Sequence, residues 1–267
     1  MAYVCLLLSG AALLINGLAA LEVLPRRDAA VFSLVIGCIQ LALGVMYLGA
    51  ASTGGAPAGV DDGGLRPLLG ASGMFLFGLT YVCVGLDCLL RLGSKGLGWF
   101  CGMVGSCGLL LAAAWSGEDP LLAVLWLCWT YLWLLFFLEL ALGFKNLTPL
   151  IGWSLVLTSQ ASATVPAFLG ISGLWPIEPA AAVAAAGLLA SLLLLAGGLA
   201  RRSRRRSCGR QSAARTAVVS EGPLPGSLRF QVPDLLFHPD LHQNTDQENH
   251  GDGDQQPYGR FGAAADQ

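Results

Sequence analysis

Apolar positions gather into seven long runs, at about 2–24, 29–52, 68–90, 97–116, 120–143, 148–171 and 179–200, with short polar connections between them. Each run is near or above the roughly 20 residues a helix needs to cross the hydrocarbon core of a bilayer. The pattern predicts an all-α membrane protein, a seven-transmembrane-helix bundle. The first run has no basic residues ahead of it, exceeds a signal peptide's apolar length and carries Asn16 and Glu22 near its end, so it reads as a retained helix.

Charge in the connections orders these helices across the membrane. Arg26 and Arg27 follow the first run, and Asp61 and Asp62 with Arg66 the second. Next come Arg91 and Lys95, Glu118 and Asp119, Lys145, Glu178, and lastly the arginine run from Arg201 to Arg206. Every second connection is basic, which by the positive-inside rule places the N-terminus outside and the C-terminus in the cytosol. The longest connection, Thr53 to Pro67, is Gly-rich with no His or Cys and offers little material for a separate ligand-binding domain.

Composition sharpens this picture. Of 267 residues, 55% are hydrophobic and 12% charged, against about 25% charged in soluble domains, and the mean hydropathy is +0.64. These values disfavour a soluble enzyme or a nucleic-acid binder, so no nucleic-acid partner is expected and the lipid bilayer is. The chain divides into an apolar body and a polar tail. The expected units are a six-helix membrane domain over 1–172, an additional transmembrane helix within 173–200, and a tail over 201–267 that begins basic and becomes too polar to fold. In the tail, Ser203 and Ser207 are flanked by Arg and suit a basophilic kinase, and Cys208 beside the last helix suits palmitoylation. Asn146-Leu147-Thr148 has the form of a glycosylation sequon but lies on the expected cytosolic side.

Chemistry-bearing constellations are sparse. All three histidines, His238, His242 and His250, fall in the tail, so the body holds no Ser/His/Asp, Cys/His or metal-binding set, and neither catalysis, nor a cofactor, nor a metal is expected. The eight cysteines, seven of them in apolar runs, show no C-x-x-C spacing and read as packing residues. A heptahelical receptor lacks support, because the loops are short and neither Asp-Arg-Tyr nor Asn-Pro-x-x-Tyr occurs. Asp87 lies four residues before Arg91, which suggests a local ion pair, and Glu139 suggests a bond to another helix or a snorkelling carboxylate.

The most informative segment is the fifth run, in which Trp126, Trp129 and Trp133 fall at i, i+3 and i+7 and so share one narrow helix face. A packing or lipid-facing stripe is one reading. The other is a pore wall, since Phe77 and Tyr81 share a face of the third helix around Gly78, and Leu6, Leu13 and Asn16 fall on roughly one side of the first. Flat aromatic walls with a few hydrogen-bonding edges suit a small, planar, uncharged solute better than an ion, whose hydration shell they cannot replace.

At these residues the sequence resembles the AmiS/UreI family, the urea and short-chain amide channels. The resemblance rests on Leu13-Leu-Ile-Asn-Gly17, Leu76-Phe-Gly-Leu-Thr-Tyr81, Trp126-Leu-Cys-Trp129 with Trp133 and Glu139, and Thr148-Pro149, in the family's order over about residues 1–172. It implies a six-helix urea/amide-channel-like core plus one C-terminal helix, two inverted three-helix halves, a pore in each protomer and a hexameric homo-oligomer. Carried over by position, Leu6, Leu13, Phe77, Tyr81, Trp126, Trp129, Leu132 and Trp133 would line the constrictions. Acid-gated members are expected to carry a carboxylate in the sixth helix; here Leu157 to Pro166 has none, and solute hydrogen bonding there would fall to Thr158 or Gln160. The expected function is passive conduction of urea or a small neutral amide, and the alternative is a non-conducting membrane scaffold or sensor acting through its tail.

Overall fold

The structure is a computed structural model that describes residues 1–53 and 65–220, and the side chains of 1–50 and 67–205. Seven helices in it are long and apolar enough to cross a membrane, and the chain is an integral membrane protein. They are α1 (Ala2–Ala20), α2 (Arg26–Thr53), α3 (Leu65–Leu90), α4 (Lys95–Trp115), α5 (Pro120–Phe136), α6 (148–171) and α7 (Pro179–Ser220). A π turn over Phe137–Ala141 extends α5. The sixth helix runs Thr148–Ser159, widens into a π turn at Gln160–Thr164 and resumes over Val165–Ile171. The first six spans reproduce the predicted runs to within a few residues.

Local chemistry sets the helix ends. Pro120 opens α5 at a position whose missing N–H costs nothing, and the Asp119 carboxylate caps the first turn by accepting from Leu122 N at 2.9 Å. The ends of α5, at Gly143, and of α6, at Gly173, use glycines with φ of +79° and +71°, a conformation that a side chain resists. At the end of α3 the backbone turns left-handed at Arg91, with φ of 55°. The Asp87 carboxylate accepts there from the backbone N–H and hydroxyl of Ser94, just ahead of α4. The expected Asp87–Arg91 ion pair is therefore not formed, because the helix stops before Arg91 reaches the i+4 position above Asp87. Glu139 takes the inter-helix role, accepting from the hydroxyl of Thr148 at the start of α6.

The bundle core is built by close backbone approach, as expected where lipid offers no hydrophobic drive between helices. Helix α2 packs along α3 so tightly that a Cβ at Gly37 would lie 2.7 Å from the Gly78 carbonyl oxygen. Helix α1 meets α6 in the same manner, and a Cβ at Gly17 would lie 2.9 Å from that of Leu155. Polar side chains tie the apolar interfaces together: Gln40 Nε2 of α2 donates to Cys5 O and Ser9 Oγ of α1, both at 2.8 Å, and Asn16 Nδ2 donates to Ser33 Oγ at 2.8 Å.

The last helix differs from its expected extent. Rather than giving way to a tail after residue 200, α7 continues through the arginine run to Ser220. Arginine and alanine are good helix formers, and the first proline beyond the run is Pro223. Among the described side chains only Ala182, Leu189, Ala196 and Ala200 of α7 are buried, a stripe of nearly heptad spacing. The Ser203 hydroxyl donates to Leu199 O at 3.1 Å and the Arg204 guanidinium to the Asn146 carbonyl. The side chains of Ser207 and Cys208, the tail from residue 221 and the connection over 54–64 lie outside the described residues.

Candidate functional site

The tryptophan face of α5 points into the bundle. Trp126, Trp129 and Trp133 are only 3–4% exposed, so a lipid-facing stripe is ruled out. Phe77 of α3 sits among them, with ring centroids 6.0 Å from Trp126, 5.0 Å from Trp129 and 4.7 Å from Trp133. Trp126 and Trp129 meet edge to face at 5.2 Å, while Trp126 and Trp133 lie nearly parallel at 6.3 Å. Such offset and T-shaped pairings are the favoured aromatic geometries, each worth about 0.5–1.5 kcal/mol beyond area burial. The Trp129 ring is also held by a hydrogen bond from Nε1 to Ser162 Oγ at 3.2 Å, in the π turn of α6.

Two cavities border this aromatic cluster, and a third adjoins the second of them. The first, about 280 Å³, lies at the end of the bundle where α1 begins, and its walls include Tyr3, Leu6, Ser9, Gly73, Trp126 and Trp175. The second, about 100 Å³, is mid-bundle and is lined by Leu13, Thr80, Tyr81, Leu132, Trp133 and their neighbours. The third, about 620 Å³, includes Arg26, Asp87, Arg91, Glu139 and Thr148 in its walls. Phe77 and Trp129 border both the first and the second, and Asn16, Val84, Leu97 and Phe136 border both the second and the third. The three thus form one succession, smallest in the middle.

Electrostatics differ along this succession. Among the described residues no charged side chain lines the middle cavity, whose polar groups are Asn16, Thr80, Tyr81 and the indole edges. Thr80 spends its hydroxyl proton on Leu76 O at 2.7 Å, and Tyr81 donates to Ser9 O at 3.3 Å. A solute that kept a full charge would lose its water there without a compensating partner, which costs several kcal/mol.

The model of the AmiS/UreI family transporters matches residues 1–174. The chain belongs to the AmiS/UreI family. It is 40% identical over 185 residues to "Putative transporter protein AmiS2" of Rhodococcus erythropolis, covering 68% of this chain and 84% of that one. It is 34% identical over 175 residues to the "Putative amidate substrates transporter protein" of Mycolicibacterium smegmatis, covering 65% and 78%. Among solved structures the fold is similar to the Helicobacter pylori urea channel. The closed state determined by cryo-EM gives a TM-score of 0.56 at 23% identity, and the crystal structure gives 0.55 at 22%. Each covers 66% of this chain and all of that one.

With AmiS/UreI membership in place, the chain is a member of a membrane transporter family, not of an enzyme family. The structure brings Leu6, Leu13, Asn16, Phe77, Tyr81, Trp126, Trp129, Leu132 and Trp133 to the cavity walls. It does not bring Thr158 or Gln160 there. Thr158 is fully buried, with its hydroxyl on Ser154 O of its own helix at 2.7 Å. Gln160 is exposed and its Nε2 donates to Ser159 Oγ at 3.4 Å. The polar group that α6 contributes to the aromatic cluster is Ser162, two residues further, where the π turn rotates the helix face. Ser162 and the Gln40 that holds Ser9 escaped the sequence reading, because each acts through a partner more than 30 residues away.

Proposed function

We propose that this AmiS/UreI protein conducts urea or a short-chain amide passively through the succession of three cavities within each protomer. The observation that carries the reading is the shared lining: the same Phe77 and Trp129 rings close the first cavity and open the second. The names of the relatives and of the structural neighbour point to the same solute class. A planar amide can stack on the ring faces that border the cavities, while its carbonyl and N–H groups need one donor and one acceptor at the cavity wall. Among the described residues the Trp126 and Trp133 indoles donate no hydrogen bond, so their N–H groups are available to a carbonyl oxygen. Asn16 uses its Nδ2 on Ala12 O and Ser33 Oγ, both at 2.8 Å, which leaves Oδ1 to accept from a solute N–H. Leu6, Leu13 and Leu132 complete walls that an ion cannot cross with its hydration shell.

In this reading the protein lies in the cell membrane as a homo-oligomer, hexameric as the family resemblance implies. The N-terminus and first cavity face outward, and the basic connections face the cytosol. The competing reading is a non-conducting scaffold or sensor working through the C-terminal region; the helical continuation of α7, with Arg201, Arg202, Arg204 and Arg205 exposed, is what favours it. Stopped-flow measurement of urea, acetamide and water permeability in liposomes separates the two. Amide flux that follows the solute gradient, needs no ion gradient and leaves sodium excluded is the expected result. Flux no greater than in empty liposomes, from protein shown to be folded, would reject conduction.

A further inference from the structure

The residue that closes the first cavity from outside the six-helix core is Trp175, one position past the stretch matched by the family model. It does not belong to a loose linker. Helix α6 ends in a tight reversal, with Leu174 N donating to Leu169 O at 2.8 Å and Gly173 at a φ of +71°, so the next residue is delivered to a fixed place. The Trp175 indole then donates from Nε1 to Asp119 Oδ2 at 2.9 Å. The other oxygen of that carboxylate caps α5 by accepting from Leu122 N, so one side chain fixes both the helix start and the indole. On its other side Trp175 packs on the Tyr3 ring, centroids 5.4 Å apart and planes tilted by 34°. Gly170 makes room for this pairing, because its missing Cβ would otherwise collide with the Tyr3 ring.

We propose that Trp175 is a specificity-determining residue: with Tyr3 it forms an aromatic sill that limits the size of amide admitted to the first cavity. The inference rests on the reading of this cavity as the entrance for a neutral amide. The indole has a single donor, already committed to Asp119, so Trp175 offers a passing solute no hydrogen bond. Its effect is steric and apolar. Small planar amides pass edge-on beside the ring, whereas a longer diamide or an N-substituted amide meets it. The last transmembrane helix, which begins four residues later at Pro179, anchors the sill from the C-terminal side.

The test pairs two readouts in the full-length protein carrying Trp175→Ala. The first is the permeability of succinamide relative to acetamide in liposomes, expected to rise by about tenfold, the lower end of what a one-methylene difference in fit is worth. The second is independent of conduction: Cys5 lines the first cavity beneath the sill, and its alkylation is followed by peptide mass spectrometry with iodoacetamide and with a bulky N-aryl iodoacetamide. The substitution is expected to speed the bulky reagent at Cys5 by a similar factor, with alkylation of Cys88, in the wall of the third cavity, unchanged. Trp175→Phe, which keeps a ring but loses the bond to Asp119, should fall between. If wild-type protein carries no acetamide, the channel reading fails while Cys5 still decides the sill. An unchanged bulky-reagent rate at Cys5 overturns the proposal whatever the flux shows.

Discussion

Replacing Gly73 by alanine is the smallest perturbation that should reach the solute path. Gly73 lines the first cavity on α3, and a Cβ there would stand 2.8 Å from Trp126 Cζ2 and 3.2 Å from Cη2. Ordinary contact begins at 3.4 Å, so the indole or the helix must move by about 0.6 Å. The ring has little freedom to do so, being packed on Phe77 and Trp129. Overpacking of this kind costs about 1–3 kcal/mol, and the gain of alanine over glycine in a helix returns about 0.8–1.0 kcal/mol. Net stability should therefore fall by at most about 2 kcal/mol, which leaves the protein folded. Flux should fall further: if about 1.4 kcal/mol of the strain is felt by the occupied slot, permeation slows tenfold. Stopped-flow amide permeability in liposomes reads the effect, with Gly96→Ala as control, since a Cβ at Gly96 meets nothing within 4 Å. Trp126→Phe in the same chain removes the outer indole atoms that clash, so the double variant should recover part of the flux lost by Gly73→Ala. A Gly73→Ala protein with wild-type flux, or a double variant no faster than the single, would refute the argument that Trp126 forms the wall.

Other substitutions probe separate links. Trp129→Phe removes the donor to Ser162, which is completely buried, and should cost about 1–3 kcal/mol through the unsatisfied hydroxyl, seen as an earlier thermal unfolding in detergent; Ser162→Ala in the same chain should relieve most of it. Gly37→Ala presses a methyl group against the Gly78 carbonyl, a backbone atom that cannot swing aside, and should destabilise by about 2–3 kcal/mol or prevent recovery of folded protein, judged by size-exclusion profile. Gln160→Ala, at an exposed position away from the cavities, should leave amide permeability within the error of the wild type.

The sequence was most legible where one helix face carries the information. Trp126, Trp129 and Trp133 lie on one face by arithmetic alone, and Phe77 with Tyr81 likewise, so the aromatic wall follows from spacing once the faces are turned inward. Seven helices follow from apolar length, although the end of the last, at Ser220, does not. What spacing did not supply is anything decided between helices. Gln40 meets Ser9 across 31 positions and Trp129 meets Ser162 across 33, and no periodicity in either helix announces the partner. Thr158 and Gln160 follow from the family resemblance, as hydrogen-bonding groups in a sixth helix that lacks the expected carboxylate. The helix instead consumes the Thr158 hydroxyl on its own carbonyl, and the π turn that starts at Gln160 brings Ser162 to the tryptophan. Trp175 stands outside every periodic segment, and only the tight end of α6 shows where it goes. The Arg91 case is similar: i, i+4 pairing presumes a helix that the backbone ends one residue too soon.

The layout has a plain physical sense. A wide cavity with charged walls, carrying Arg26, Asp87, Arg91 and Glu139, leads to a small one with none, and that leads to an aromatic entrance. Under the proposed function, desolvation is confined to the small middle cavity, where stacking and a few hydrogen-bonding edges replace water for a neutral amide and fail to do so for an ion. Holding the rings in place falls to their mutual packing, to glycines that admit close helix contact and to the buried Ser162 hydroxyl that fixes Trp129.

Passage of solute from the first cavity to the second, past the Phe77 and Trp129 rings that line both, is the central proposal. Urea permeability of purified Trp129→Ala beside the wild type, in liposomes with equal amounts of folded protein, tests it most directly. The account predicts wild-type urea flux well above empty liposomes and a loss of that selective flux in the variant. Identical urea flux, with identical exclusion of larger amides, in both proteins would contradict it.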